Sequence, residues 1–463
     1  MSIEVSPSPI SNTLVDKDAY LTGLLDKVAA SKSEGWLQDV RQRAADWVRQ
    51  SRLPTTRDEE WRFADLSSLR EVQFNVETFL PNITPFSLPE ANKNCLVFVN
   101  GVYAPELSAV SGLPDGVVVS NLANLPGGYD ERVRQYLAQA SGDREVFTAL
   151  NTAGMTDAAV VWVGKNVVVE TPIFLVFVAV GEGRIALPRC LVVAECGSQV
   201  SLVEEYTNRP SGSPVPHRDG NRQDGGWTHR GAENAEEEKE GVYFTNAVTE
   251  IWVEENAQVS HTRVECDGAE AFHVGKTAVM QGRYSRYCCN AVSLGGRFSR
   301  HNLEIFQTGE QTETTLNGLT MIKGKQLADT HSVIALNHPH GVSRQLHKCI
   351  VGDRAHGVFN GKVFVPKPAQ LTDAAQLNRN LLLSSKARVD TKPQLEITAD
   401  NVKCAHGATV SQLEDDEIFY LQSRGIDAND ARNLLINAFA AEIINQIPIS
   451  SLRETLTQTV SRF

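Results

Sequence analysis

The stretch VVAECGSQVSLVEEY (192–206) returns as IWVEENAQVSHTRVE (251–265), with Glu195, Gln199, Val200 and Ser201 recurring further along as Glu254, Gln258, Val259 and Ser260. Between the copies lies Thr207–Gly241, which holds nine Gly or Pro and four hydrophobic side chains, Val215, Trp227, Ala232 and Ala235. Such a segment buries too little apolar surface to offset the cost of ordering it, so a flexible insertion is expected there. Without it, roughly 24 residues separate equivalent positions, close to one coil of a parallel β-solenoid.

The surroundings agree with that reading. From Ala158 to Ala399 the chain is dominated by short runs of Val, Ile, Thr and aromatics punctuated by Gly and Asn. Each coil of a solenoid buries its apolar strip only against its neighbours, so aromatic content stays low, here 7%. Cys95–Val99, Asn100-Gly101 and Val102-Tyr103 form a hairpin signal. Helical periodicity is confined to the ends. Leu21, Leu24, Leu25 and Val28 start a stretch over 16–52 that Leu37, Val40, Ala44, Trp47 and Val48 continue before Pro54. Near the other end, Asp427 and Asp430 sit where a cap belongs. Leu434, Leu435, Ala438, Phe439 and Ile443 form one stripe, Pro448 ends it, and Ser451-x-x-Glu454 reads as a capping box. The expected organisation is a helical region over 1–95, a β core over 96–392 and a helical region over 393–463.

With 44 Lys+Arg against 56 Asp+Glu, the 463-residue chain carries a net charge of −12. The charge divides into about −3 for 1–95, −5 for 96–399 and −4 for 400–463, so no basic block exists to displace the counterions of a nucleic acid. No signal peptide and no membrane span are expected. Eight cysteines without a C-x-x-C suit a reducing cytosol and a cytoplasmic location.

Motifs for autonomous catalysis fail on inspection. Gly275-Lys276-Thr277 completes half of a phosphate loop, but Glu270 stands where its first glycine is needed. No G-x-G-x-x-G follows a strand, and G-x-S-x-G and H-E-x-x-H do not occur. His331, His338, His340, His347 and His356, with Cys349 among them, cluster in one short stretch, yet their spacings match no ligand frame. Adjacent Cys288 and Cys289 would point to opposite faces of a strand. In Cys404-Ala405-His406-Gly407, residues i and i+2 of extended backbone share a face, which aims a thiol and an imidazole the same way. Two soft ligands do not close a tetrahedral site, so another chain would have to supply the rest.

GVFNGKVFV (357–365), NRNLLLS (378–384), VDTKPQLEI (389–397) and KCAHGATVSQLEDDEIFYLQSRGI (403–426) resemble the SufB/SufD family of iron–sulfur cluster assembly proteins, as do EEWRFADL (59–66) and LVFVNG (96–101) more weakly. Within it, NRNLLLS and DTKPQLEI resemble the SufD branch. The resemblance implies a mainly β chain, a right-handed parallel β-helix core between N- and C-terminal α-helical regions. It implies a non-enzymatic scaffold that pairs with a SufB-like paralogue through the β-helix and binds the SufC ATPase by C-terminal helices over 412–424 and 428–446. A homodimer is the alternative state of the isolated chain. Cargo would be transient iron or an Fe–S cluster in the complex and none in the isolated chain, with His406 and Cys404 as candidate metal ligands at the interface. Two rivals stand beside this reading: a β-solenoid enzyme of the polysaccharide lyase or acyltransferase type using a His/carboxylate cluster, and a metalloprotein built on the 331–356 histidines.

Overall fold

The computed structural model describes residues 18–29, 35–76, 88–140, 145–208 and 241–463. Residues 209–240 of the expected insertion lie outside them. The core is a parallel β-solenoid of about eight turns. Each turn lays one strand into each of two sheets, as the alternating sheet orders show. One sheet runs through Ile173–Val178, Gln199–Thr207, Gln258–Cys266, Arg286–Ser293, Glu313–Ile322, Val342–Val351 and Asp373–Leu382 to Lys403–Gln412. The other runs from Arg189–Ala194 through Tyr243–Val253, Phe272–Gln281, Phe298–Gln307, Leu327–Ala335 and His356–Val365 to Arg388–Ile397.

The repeat that points to the fold pairs in register, Gln258 on Gln199, Val259 on Val200 and Ser260 on Ser201. The turn is longer than that one repeat implies, however. Gln258, Arg286, Glu313, Val342, Asp373 and Lys403 are successive partners along one sheet, and their numbers set the true length of a coil. Two strands of eight to eleven residues and two corners fill that length. Counting Thr207 into the insertion removes a residue that belongs to a strand.

Strand alternation sends Val200, Leu202 and Tyr206 inward against Ala247, Ile251 and Val253 of the opposite sheet. At one corner the backbone repeats as well. Asn256, Tyr284, Gln311, His340 and Leu371 all have φ between 57° and 61°. Their N–H groups donate to Arg283, Glu310, Pro339, Gln370 and Asn401 of the following turn. A non-glycine residue in this region costs about 1–2 kcal/mol, and the stacked hydrogen bonds hold it there.

Helices cover the outer faces. Ala19–Val28, Trp36–Arg49 and Val146–Gly154 pack with Phe244, Phe272 and Phe298 of one sheet. The stretch read as helical over 16–52 is thus two helices, with 30–34 outside the described residues. Ala428–Ile444 and Ser450–Ser461 cover Val203, Val264, Val292 and Leu319 of the other sheet.

Three expectations are corrected here. The buried stripe of Ala428–Ile444 is Ala431, Ile436, Ala440, Ile443 and Ile444, while Leu434 is half exposed. Ser451 does not form a capping box with Glu454, because the helix starts one residue earlier and its first turn is met by Glu90. The Glu90 carboxylate accepts from the Ser451 backbone N–H at 2.9 Å and from its hydroxyl at 2.5 Å. The strands also continue past the expected core end at 392, through Gln412. The last strand carries few apolar residues, and among the described residues no further coil lies over it.

Inside the core, a Cβ on Gly318 would overlap the imidazole of His347, 2.8 Å from its Cε1. His347 is buried and stacked on Phe359 at a ring separation of 4.9 Å, so a shift of the ring would break that contact. Gly318→Ala is therefore expected to cost about 1–3 kcal/mol by overpacking, read as a lower denaturation midpoint; an unchanged midpoint would show that the interior yields.

Candidate functional site at the open end of the solenoid

The two ends of the stack differ. At the first end Val102–Tyr103 and Ala109–Val110 pair antiparallel with Asn94–Val99, and Val117–Asn121 pairs antiparallel with Ala159–Val163. Short antiparallel strands are a standard way to blunt an edge. At the other end Arg388–Ile397 and Lys403–Gln412, ten residues each, have no outer strand partner among the described residues. Ile397 and Val410 are exposed there, Val410 by 52%.

Cys404 and His406 lie on this terminal strand, in register with Ala374 and Gln376 of the coil below. Cys404 packs against the interior cluster, so its face is the lumen side, and His406 two residues on shares it. His406 is exposed at the mouth. Burial, seconded by the nearby Asp373 charge, raises the Cys404 thiol, so it reaches a thiolate less readily than an ordinary cysteine.

Below the mouth the lumen is polar. Gln345 donates to Ser332 at 2.8 Å, Gln376 donates to Gln345 at 2.7 Å, and Asn380 donates to Asn378 at 2.6 Å. Further in, His261 lies between Glu204 at 3.0 Å and the Tyr287 hydroxyl at 2.9 Å, all buried. Burial alone would lower this imidazole, but Cys289 and Glu204 outweigh it and hold it up at about 9.

The 331–356 histidines do not converge. His331 bridges Asp329 at 2.9 Å and Glu60 at 3.2 Å on the outer face. His347 is in the lumen, where burial pushes it down to about 4. His356 pairs with Asp390 at 2.7 Å. His340 occupies a corner, with His338 two residues before it. Among the described residues no three His, Cys, Asp or Glu side chains are grouped to hold a metal ion. Cys349 is a buried thiol raised to about 12 by its enclosure. Cys289 faces the lumen and Cys288 the opposite side, as strand alternation requires. Lys276 sits within a strand, paired with Glu304 at 2.9 Å.

Beyond the terminal strand, Asp415–Ser423 buries only Ile418 and leaves Phe419 71% and Tyr420 57% exposed. Adjacent large apolar side chains in water mark an interaction surface better than scattered ones do.

Comparison with known proteins bears on this arrangement. The family model for the SUF system FeS cluster assembly SufBD core domain matches residues 229–439, and the model for the SufBD protein N-terminal region matches 24–175. The chain belongs to the SufBD family of iron–sulfur cluster assembly proteins. An iron–sulfur cluster assembly SufBD family protein of Synechocystis sp. is 46% identical over 98% of this chain and 96% of its own length. The iron–sulfur cluster assembly protein SufD of Escherichia coli is 29% identical over 89% of each chain. Protein ABCI7, chloroplastic, of Arabidopsis thaliana is 34% identical over 93% of this chain and 87% of its own length.

In this SufBD chain the polar lumen escaped the sequence reading. Its only trace is a polar residue recurring at inward positions, such as Gln345, Gln376 and His406, which is invisible until the register is known. The enclosure of His347 has a measurable sign. Its folded pKa near 4 lies below the unfolded value of about 6.5, so the unfolded chain binds more protons in that window and stability falls as pH drops through it. Histidine NMR is expected to show His347 neutral at pH 5.5; a protonated ring there would contradict its enclosure.

Proposed function

We propose that this chain is a non-enzymatic scaffold subunit of a SUF iron–sulfur cluster assembly complex. It pairs with a SufB-like paralogue through the last coil of its β-helix and binds the SufC ATPase through its C-terminal helices, in the cytoplasm. The observation that carries this is the asymmetry of the stack: one end is closed by short antiparallel strands, the other stops on two ten-residue unpaired edges. An exposed edge of that length is a ready template for another chain. His406 stands on that edge, so a partner docked there would share its imidazole.

Iron is borderline-soft and accepts imidazole and thiolate ligands. In this reading His406 supplies one ligand to nascent iron or cluster, Cys404 a second beside it, and the partner the remainder. The chain thereby assists iron acquisition and cluster assembly without turning over a substrate of its own. The negative charge of −12 fits protein partners better than nucleic acid, and among the described residues no helix is long and apolar enough to cross a membrane.

Two experiments test the assignments. In the reconstituted complex, His406→Ala is expected to cut cluster assembly at least tenfold while the complex still forms; undiminished assembly would remove the ligand role. For the ATPase, deleting Ala428–Ile444 would strip Ile436, Ile443 and Ile444 from the core and confuse docking with unfolding. The exposed pair is the cleaner target: Phe419→Asp with Tyr420→Asp is expected to abolish ATPase co-purification with the thermal midpoint retained. Retained binding would exclude this surface.

A further inference from the structure

We infer that Gln376 is a positioning residue for His406: its side-chain carbonyl, unpaired in this structure, is placed to accept the proton of one imidazole nitrogen when the exposed ring turns toward it, which fixes the tautomer and leaves the other nitrogen's lone pair for what arrives at the open end. The inference deepens the reading of His406 as a ligand and rests on it for its functional meaning.

Gln376 is 3% exposed. Its amide nitrogen is committed, donating to Gln345 Oε1 at 2.7 Å, and Gln345 in turn donates to Ser332 at 2.8 Å. That chain anchors the amide from below and turns its carbonyl oxygen away. The oxygen, Oε1, has no hydrogen-bond partner among the described residues. A buried carbonyl without a donor is costly and calls for explanation.

Among the described residues the last coil alone lies above it. Gln376 is in register with His406, and Gly361, which faces Gln376 across the lumen, is in register with Pro393. Proline has no N–H and no polar side chain. Of the two residues directly stacked over this amide, His406 carries a donor and Pro393 does not; the other unpaired donor of that coil, the Thr391 hydroxyl, stands two residues away over Phe359. In-register side chains of neighbouring strands stand about 4.8 Å apart at the backbone, within reach of a glutamine and an imidazole.

The space for the amide is made by a glycine. A Cβ at position 361 would overlap Gln376 Nε2 and stand 2.8 Å from its Cδ. Gly361 lies mid-strand in His356–Val365, where a glycine weakens the strand and marks a close approach. Here what approaches is the Gln376 side chain. An imidazole that binds a metal through one nitrogen commonly donates from the other to a carbonyl or carboxylate, which sets ring orientation and basicity. Gln376 is placed to be that acceptor.

The test reads the tautomer directly, with no metal present. In the full chain selectively labelled with 15N-histidine, the His406 signals are identified by their loss in His406→Ala and recorded at pH 8.5, where a free imidazole is neutral. The wild-type ring is expected in a single tautomer. Gln376→Met keeps the bulk and removes the acceptor, so it is expected to give averaged shifts of two tautomers. Gln376→Glu, which restores an acceptor, is expected to return the ring to one. Mixed tautomers in the wild type, or a single one retained in Gln376→Met, would overturn the inference. If Gln376→Met does not fold, Gly361→Ala, which displaces the amide, is read in the same way. The result is independent of cluster assembly: His406→Ala can leave assembly intact and sink the ligand role while the tautomer stays fixed, and the reverse can also occur.

Discussion

A parallel strand pairs only half of its N–H and C=O groups with the neighbour on one side, and the other half wait for a neighbour on the opposite side. In a solenoid this requirement passes from coil to coil, and it governs the whole of this chain. Each turn satisfies the one before it, from Ile173–Val178 to Lys403–Gln412 in one sheet. The corner residues at positive φ repeat because each donates its N–H to the next turn. What the requirement cannot do is end itself. Antiparallel strands stop the first end, and the last coil passes an unsatisfied edge onward.

The interior follows from the same stacking. Neighbouring coils place equal positions one above another, so a polar residue in one column faces its equivalents. Val200 and Val259 make a dry column, whereas Gln345, Gln376 and His406 make a wet one that surfaces at the open end. Outside, the two helical regions are fixed by what they cover. The terminal helices shield Val264, Val292 and Leu319, and Glu90 from the N-terminal half caps the last of them. A turn from the N-terminal half and the last helix therefore meet on the solenoid's flank.

Much of this is legible in the residues. One imperfect repeat, Glu195 to Ser201 on Glu254 to Ser260, reveals the architecture because parallel in-register pairing puts like residues together. Strand alternation alone separates Cys288 from Cys289 and aligns Cys404 with His406. The misses have physical causes. The expected core end falls short, at 392, because an edge strand with exposed faces lacks the apolar run that marks a buried one. The Ser451 capping box fails because Glu90, far away in the chain, takes the site, and local pattern cannot anticipate a distant competitor. The histidines of 331–356 lie near one another in sequence, yet His331 faces outward, His347 inward and His340 a corner, so clustering along the chain means nothing for coordination. For His406 the residue type carries the chemistry, and only the stack shows that it stands at an unfinished edge.

That edge is the centre of the account, and hydrogen exchange of its backbone measures it most directly. In the isolated chain, the amides of Lys403–Gln412 and Arg388–Ile397 that point away from the stack are expected to exchange quickly, while those bonded to the coil below are protected. On addition of the paralogous subunit, the outward amides should become protected over both strands. Unchanged exchange at both strands in a complex that has demonstrably formed would place the interface elsewhere and contradict the account.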